Sequence, residues 1–240
     1  MLVAIDTSTD IASLALVKDR LTLAEFTWRS GQNHTTQLLP NLAHLLKLVG
    51  IDASSLTGII VAKGPGSFNG LRVGISAAKG LAFSLSIPIV GVSSLEVEAY
   101  QYAGTGLPIC PVFNAGRNEI ATTLYQKLAI GWQQLEGESI TTVEQLCAAT
   151  KQKTLFCGEY LPVISSQLVS RLGEKAVIAS PTTDLRRASY LAELGMIKIA
   201  TGETDNVATL QPVYLRKPSI TVAKNRYNKT NKSGFPFARE

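Results

Sequence analysis

The sequence of 240 residues is poor in the residues that hold metals and covalent cross-links, with two histidines and three cysteines. His34 and His44 are ten positions apart, which is not the i, i+4 spacing of a zinc-binding pair on a helix. An odd number of cysteines without a C-x-x-C spacing predicts free thiols rather than a disulfide framework or a zinc knuckle. We therefore expect no resident metal ion and no covalent staple.

Long apolar runs are absent, and charged residues are few. Hydrophobic residues make up 45% of the chain and charged residues 17%, a globular composition that excludes disorder over most of its length. No apolar run reaches the roughly 18 residues of a membrane span. The chain begins with the strand-like Leu2-Val3-Ala4-Ile5 instead of a basic signal peptide. We expect a cytoplasmic protein with no membrane attachment.

The net charge of +5 arises at the C-terminal end. From Arg216 onward there are seven bases and one acid, whereas the preceding residues hold 16 bases and 17 acids. Such a basic segment can neutralise phosphates, and it is equally typical of a solvated chain end. Both interpretations remain open at this point.

Hydrophobic periodicity predicts one order of elements that occurs twice. In the first half, strands at 2–7, 11–18 and 21–28 precede a helix at 35–49, a strand at 57–63, a helix at 70–85, a strand at 87–92 and a helix at 94–102. After Gly104-Thr105-Gly106, strands at 107–113 and 120–125 and a weaker one near Gln133 precede a helix at 142–150, a strand at 154–157, a helix at 163–172, a strand at 176–179 and a helix at 184–201.

This repetition predicts an α/β protein with two βββαβαβα lobes, each with a mixed sheet. We place the N-terminal lobe at 1–103, the C-terminal lobe at 104–215 and a basic tail at 216–240. A cleft between two such lobes holds a nucleotide in actin-like and sugar-kinase folds, an analogy at the level of fold only.

A glycine-rich segment, Gly64 to Gly74, lies between a predicted strand and a predicted helix. It matches neither the Walker loop nor the dinucleotide fingerprint, because Leu71-Arg72 and Asn69 stand where those motifs need other residues. Gly70 and Gly74 share one helix face with three further small or apolar residues, Ala77, Ala78 and Leu81. Such a strip favours close approach of another backbone, which is the chain's own sheet, another protein or a ligand.

The turn Asp6-Thr7-Ser8-Thr9-Asp10 follows the first predicted strand. In an actin-like ATPase an aspartate at this place orients a metal ion, but an aspartate also caps such a turn by accepting backbone hydrogen bonds. No G-x-S-x-G elbow is present, since Gly91-Val92-Ser93-Ser94-Leu95 lacks the final glycine. The motifs therefore give little support to a hydrolase or peptidase.

The predicted helix at 35–49 has leucines around more of its circumference than a core-facing stripe needs. One side can fill a core while the other meets a partner. Pro40 lies within this pattern, so the helix either kinks there or begins again at that residue.

Across nearly its whole body the chain resembles the bacterial TsaB family, also called YeaZ. The Gly-Pro-Gly-Ser-Phe segment followed by Gly-Leu-Arg-Val-Gly is the specific motif, and the other motifs support it by their order and spacing. The resembling segments are Ala4 to Thr9, His34 with Leu38-Leu39-Pro40, Gly64 to Gly74, Gly91 to Leu95, Arg117 to Tyr125 and Pro212 to Arg216.

The resemblance implies a two-lobed, actin-like (ribonuclease H-like) fold and a role in making threonylcarbamoyladenosine in tRNA. It implies a noncatalytic subunit that dimerises with the catalytic TsaD, helps recruit the ATPase TsaE, and forms a homodimer when alone. Contact with tRNA is then made through the complex. ATP and Mg belong to the partner proteins, and this chain needs no cofactor of its own.

The resemblance also implies where partners bind, namely at the helices predicted at 35–49 and 70–85. We expect Gly74→Leu to weaken that contact without disturbing the fold. The implied interface residues are His34, Leu38, Leu39, Leu42, Leu46, Phe68, Gly70, Arg72, Val73, Gly74, Ala77, Ala78 and Leu81.

Departures from the catalytic relative support a noncatalytic role. Ser94 and Glu98 stand where TsaD carries the two histidines of its metal motif, and serine is a poor substitute for a nitrogen ligand. Asn114 lacks the charge to hold magnesium, and Tyr160 adds bulk beside Gly158. The implied vestigial nucleotide cleft consists of Asp6, Thr7, Ser8, Asn114 and Gly158. The alternative is an actin-fold kinase or ATPase that acts alone.

Overall fold

The structure, a computed structural model, describes residues 1–31, 33–180 and 185–216. Two five-stranded mixed sheets form its framework. Sheet 1 has the order β3-β2-β1-β4-β5, and sheet 2 has the order β10-β9-β6-β7-β8. The strands of sheet 1 are β1 (Leu2–Asp6), β2 (Ile11–Lys18), β3 (Leu21–Arg29), β4 (Gly58–Ala62) and β5 (Ile89–Val92). Those of sheet 2 are β6 (Ile109–Gly116), β7 (Glu119–Leu128), β8 (Gly131–Thr141), β9 (Thr154–Cys157) and β10 (Ala176–Ile178).

Six α-helices accompany the sheets in the described part of the chain. They are α1 (His34–Val49), α2 (Phe68–Leu85), α3 (Ser94–Tyr100), α4 (Val143–Ala149), α5 (Leu161–Leu172) and α6 (Ala188–Ala200). The order is therefore βββαβαβα in each half, as predicted, and the two sheets have equivalent strand orders. The predicted actin-like, two-lobed α/β class is confirmed. None of these helices has both the length and the apolar character that crossing a membrane requires.

Local sequence explains where the elements form. The central strands β1 and β4 are almost entirely apolar and buried, because helices cover both faces of sheet 1. Helix α1 continues through Pro40 and ends at Gly50, whose left-handed φ of 74° allows its N–H to bond back to the last turn. A capping box of Thr142 and Gln145 begins α4.

Helices cover both faces of each sheet, and two of them, α3 and α6, pack on the sheet that the other half of the sequence forms. Helices α1 and α2 pack on one face of sheet 1, and α4 and α5 pack on one face of sheet 2. The other face of sheet 1 is covered by α6, whereas α3 packs against sheet 2. Each half of the sequence thus gives its last helix to the sheet of the other half.

The predicted lobe boundaries stay a prediction, and the structure adds that α6, which falls within residues 104–215, packs on sheet 1. Helix α6 lies so close to sheet 1 that a Cβ at Gly195 would be 2.3 Å from Cγ2 of Ile60. Within the described residues the helix begins at Ala188, after the non-helical residues 185–187, and the predicted start at residue 184 lies outside the described residues. Residues 217–240, most of the predicted tail, lie outside the described residues.

Residues 205–216, which we call the C-terminal strap, run back across both lobes. Asp205 accepts a hydrogen bond of 2.7 Å from Gly91 N, and Leu210 is buried in the core of sheet 1. Farther along, Val213 N donates to Lys63 O over 2.7 Å. Arg216 then forms an ion pair with Glu119 of β7. The strap therefore connects sheet 1 to sheet 2 and ends beside the cleft between them.

Candidate functional site: a partner face and a filled cleft

The glycine-rich segment packs against the β1–β2 turn of the same chain. An added Cβ would lie 2.1 Å from Ser8 O at Gly66, 2.1 Å from Thr7 O at Gly70 and 2.3 Å from Thr7 Oγ1 at Gly74. Thr7 Oγ1 also donates a hydrogen bond of 2.7 Å to Gly70 O. Of the three alternatives for the smooth strip, the structure selects the chain's own backbone.

The expectation that Gly74→Leu leaves the fold intact is therefore wrong. A leucine side chain at this position would overlap Thr7, which is itself buried. Overpacking of this kind displaces the elements that meet at the site.

Seven of the thirteen predicted interface residues are buried within the chain: His34, Leu38, Leu42, Leu46, Gly70, Gly74 and Ala78. The leucines fill the core between α1 and sheet 1, and His34 Nε2 donates a hydrogen bond of 2.9 Å to Thr9 O. These seven residues therefore fill the interior of this fold.

The other six predicted residues remain accessible on α1 and α2. Leu39, Phe68 and Arg72 are exposed, and Val73, Ala77 and Leu81 are half-buried. We call these six residues the partner face. Sequence reasoning missed Leu48 and Phe83 on the same helices, which are 68% and 80% exposed. Exposed leucine and phenylalanine side chains thus lie on two helices that contact each other, and exposed apolar side chains that cluster mark protein contacts.

The strap touches one end of the partner face. The rings of Tyr214 and Phe68 lie with centroids 5.2 Å apart. The Arg72 guanidinium is stacked 3.9 Å from the Phe68 centroid, and its Nε donates to Tyr214 Oη over 3.4 Å. The segment that leads into the basic tail is thus attached at the start of α2.

Asp6, at the end of β1, caps the turn that follows it. Its Oδ1 accepts hydrogen bonds from Ser8 N at 2.9 Å and from Ser8 Oγ at 2.7 Å. These are the contacts expected of the capping alternative. The carboxylate is almost completely buried, so it also needs a counter-charge.

Arg186 provides that counter-charge. Its Nε donates to Asp6 Oδ2 over 2.6 Å, and its Nη2 donates to Asp6 Oδ1 over 3.2 Å and to Ser8 Oγ over 2.7 Å. Its Nη1 lies 3.7 Å from Glu98 Oε2. Arg186 as a residue is 97% buried, and its guanidinium lies in the inner part of the cleft beside Asp6.

The electrostatics follow from this arrangement. Burial raises the pKa of Asp6, but the charge and hydrogen bonds of Arg186, with the hydrogen bonds from Ser8, outweigh that effect and leave the pKa below its ordinary value. Burial likewise lowers the pKa of Arg186, and the carboxylates of Asp6, Glu98 and Glu159 raise it above its ordinary value. Both groups are therefore charged at neutral pH.

Ser94 and Glu98, which the resemblance compares with metal-binding histidines, have structural partners in this chain. Ser94 Oγ accepts a hydrogen bond of 3.1 Å from Gly64 N, and Ser94 N donates to Gly64 O over 2.8 Å. Glu98 is buried beside Arg186. Ser94 thus holds α3 against the glycine-rich segment, whereas Glu98 belongs to the arginine cluster.

Asn114 and Gly158, the remaining cleft residues, lie on the side of sheet 2. Asn114 is exposed, and its Oδ1 accepts a hydrogen bond of 2.8 Å from Gly116 N. Gly158 has a φ of 107° and lies so close to β6 that a Cβ would be 2.6 Å from Val112 O. A cavity of about 370 Å³ remains at the cleft mouth, lined by Thr9, Asp10, Ile11, Arg29, Gly66, Ser67, Asn114, Glu159 and Tyr160.

Sequence reasoning grouped Asp6, Thr7 and Ser8, which lie in one buried turn, but did not identify Arg186. In the sequence, Arg186-Arg187 looks like a pair of surface bases before a helix. In the structure the two residues differ: Arg186 is buried, whereas Arg187 is exposed and pairs with Glu25. The sequence contains no clear signal that separates them.

Comparisons with known proteins identify relatives of this chain. The family model described as "TsaD: tRNA N6-adenosine threonylcarbamoyltransferase" matches residues 28–224. A Bacillus subtilis protein named tRNA threonylcarbamoyladenosine biosynthesis protein TsaB is 34% identical over 90% of this chain and 93% of its own length. A protein of the same name from Escherichia coli is 29% identical over 90% and 94%, respectively.

Solved structures give the same result. YeaZ from Pseudomonas aeruginosa superposes with a TM-score of 0.75 at 26% identity, covering 88% of this chain and 99% of that one. The resemblance predicted from the sequence motifs is confirmed.

Proposed function

The chain belongs to the TsaB family, which places it in the formation of threonylcarbamoyladenosine in tRNA, and we propose that it acts there as a noncatalytic scaffold subunit. It pairs with a TsaD-type subunit that carries out the transfer, and the pair recruits a TsaE-type ATPase. Alone, it forms a homodimer through the same face. ATP and Mg are bound by the partner proteins in the cytoplasm, where the tRNA is modified.

The observation that carries this proposal is the Arg186–Asp6 pair. A carboxylate that orients magnesium must present its oxygens to the ion and its water shell. Both Asp6 oxygens accept hydrogen bonds from Arg186 at 2.6 and 3.2 Å, and the residue is buried. This supports a chain that leaves nucleotide chemistry to its partners.

The partner face supports the scaffold role. Leu39 and Phe68 are 53% and 38% exposed, while the half-buried Val73, Ala77 and Leu81 pack against the core of sheet 1 from the same helices. The glycines hold α2 tightly on the β1–β2 turn, so this face is rigid. A rigid apolar face on two helices fits a complementary helical surface, because little side-chain or backbone freedom is lost on binding.

Contact with tRNA is made through the complex, with help from the basic tail. Tyr214 of the strap lies against Phe68 of the partner face, with ring centroids 5.2 Å apart, and the strap ends two residues later at Arg216, which pairs with Glu119. Six further bases follow in the sequence, from Lys217 to Arg239. Lysine and arginine side chains in this segment can neutralise phosphates of tRNA held by the partner.

A drop-out reconstitution tests the proposal. TsaD, TsaE, ATP, threonylcarbamoyl-adenylate and unmodified tRNA are combined with and without this protein, and modified adenosine is quantified. We expect modification to depend on the protein and to survive Leu39→Ala at high protein concentration. Modification that is indifferent to the protein would contradict the scaffold role.

The test also separates the scaffold from an actin-fold kinase or ATPase acting alone. Titration of the isolated chain with ATP and Mg is expected to show no saturable binding. Saturable binding that Asp6→Asn weakens would favour the ATPase. In the scaffold interpretation the Asp6 carboxylate is paired with Arg186, so its replacement would not change the affinity for nucleotide.

A further inference from the structure

Arg186 lies where the chain passes from one sheet to the other. Strand β10, which ends at Ile178, belongs to sheet 2, and α6, which begins at Ala188, packs on sheet 1. The Arg186 side chain is directed between the two halves. It contacts Asp6 from β1 and Glu98 from α3, and its guanidinium carbon lies 5.3 Å from the centroid of the Phe113 ring in β6.

All three nitrogens of the guanidinium are engaged. Nε and Nη2 form a fork on the Asp6 carboxylate, Nη2 also donates to Ser8 Oγ and to Thr9 Oγ1 at 3.3 Å, and Nη1 faces Glu98. The fixed plane of the guanidinium therefore determines how the β1–β2 turn and α3 are placed relative to each other. A lysine, with a single charged nitrogen, cannot make this set of contacts.

The groups around Arg186 are the donors that a hard cation binds. Two carboxylates and two hydroxyls converge on one buried position, and oxygen sets of this kind hold Mg²⁺ or Ca²⁺ in other proteins. Here the position is filled by a covalently attached cation. Glu98, at one of the positions that the family resemblance associates with a metal ligand, is paired with Arg186.

We propose that Arg186 is a built-in cation that replaces a bound ligand in the cleft and holds the two lobes at one fixed separation. A bound metal ion or nucleotide can dissociate and let such lobes move, whereas a side chain cannot leave. The relative position of sheet 1 and sheet 2 is then independent of nucleotide. This inference rests on the described contacts and does not require the proposed function.

The burial of the charges explains why the contacts of Arg186 with Asp6 and Glu98 hold the lobes strongly. Asp6, Glu98 and Arg186 are each at least 97% buried, and a buried charge without a partner is far more costly than an exposed one. Loss of Arg186 leaves the buried carboxylates of Asp6 and Glu98 without this counter-charge. Their repulsion favours an opened cleft into which water can enter.

The first experiment compares Arg186→Met with the adjacent control Arg187→Met. Arg187 is exposed and pairs with Glu25, so its loss is expected to shift the thermal midpoint by no more than about 2 °C. Arg186→Met is expected to lower the midpoint by roughly 10 °C. Small-angle X-ray scattering at matched oligomeric state is expected to show a larger radius of gyration for Arg186→Met only.

Chemical rescue provides an independent measurement. Arg186→Ala leaves a space of guanidinium shape, and low-millimolar guanidinium chloride is expected to recover part of the lost midpoint. Equal potassium chloride is not expected to do so, and neither salt is expected to raise the midpoint of the wild type. Recovery with both salts alike would mean that screening is sufficient, and would overturn the specific replacement.

Two further results would overturn the proposal: a midpoint loss in Arg186→Met no larger than that in Arg187→Met, or an unchanged radius of gyration. If Arg186→Met does not fold, the thermal midpoint and the radius of gyration of Arg186→Lys test the proposal instead. That variant keeps the charge but loses the two parallel hydrogen bonds to Asp6, so a lower thermal midpoint and a larger radius of gyration would support the proposal. Wild-type values for both would contradict it.

Discussion

Arg186 Nε lies 2.6 Å from Asp6 Oδ2, although 180 positions separate the two residues in the chain. This pair joins the turn after the first strand to the segment before the last helix. It occupies the inner part of the cleft, where the sequence analogy had allowed a metal-orienting aspartate. The inner part of the cleft is thereby part of the protein's own interior, and the cavity beside Asn114 remains at its mouth.

Acid is expected to weaken this pair in a defined direction. Since the folded-state pKa of Asp6 is lowered below its ordinary value, its ionisation stabilises the fold above about pH 4, the unfolded value. That contribution is lost as the pH falls through the lower, folded-state pKa. Urea unfolding from pH 7 to pH 2 measures it.

Asp6→Asn should lack this pH-dependent contribution and lose about 3 kcal/mol at pH 7, because it leaves Arg186 incompletely paired. Asp10→Asn, an exposed change in the same turn, serves as the control and should follow the wild-type pH curve. A wild-type pH dependence in Asp6→Asn would show that the pair does not determine acid stability.

Two glycines of α2 should respond oppositely to alanine. At Gly74 the new Cβ would lie 2.3 Å from Thr7 Oγ1, whereas at Gly80 it would meet open space. We expect Gly74→Ala to destabilise the fold by about 1 to 3 kcal/mol and Gly80→Ala to stabilise it by up to about 1 kcal/mol. Chemical denaturation of both variants measures the difference, and equal effects would contradict the packing argument.

Binding to the TsaD-type partner should depend on the partner face. Leu39→Glu places a charge on the exposed side of α1 and is expected to weaken the heterodimer at least tenfold, or by about 1.4 kcal/mol. Val169→Glu on α5, with similar exposure of 49% against 53%, is the matched control. Calorimetric titration with the partner distinguishes them, and equal affinities would exclude this face.

The basic tail should contribute to the salt dependence of tRNA binding by the complex. Truncation after Arg216 keeps the strap and its ion pair with Glu119 but removes six bases. Each base that neutralises a phosphate contributes about 0.7 to 0.9 to the slope of log K against log salt. We expect a shallower slope after truncation.

A full-length variant with the same six bases changed to serine controls for chain length and should match the truncation. An unchanged slope in both variants would leave the tail without a role in tRNA binding.

Much of the fold could be predicted from the sequence, because it depends on local patterns. The five apolar positions of β4 and the leucines of α1 identify a buried strand and a core helix before any contact is known. Boundaries were less accurate where tertiary contacts intervene. Strand β8 extends over Gly131–Thr141 because it pairs along β7, and its own polar sequence predicts only a weak strand.

The candidate site could be predicted only in part. Leu38 and Leu39 are adjacent leucines with the same local signal, yet one is 1% exposed and the other 53%. The smooth strip of α2 was equally compatible with an external partner or an internal one. Its close approach to Thr7 depends on how β1 and α2 are placed together, which helix periodicity does not specify.

The element order, the α/β class and the family could be inferred before any contact was known, because apolar periodicity and the glycine-rich motif are properties of short segments. The exchange of α3 and α6 between the sheets and the pairing of Arg186 with Asp6 and Glu98 became known only from the folded chain. The physical reason is that a charged side chain is buried only when opposite charges from distant segments surround it. Those partners are selected by the packing of the whole chain.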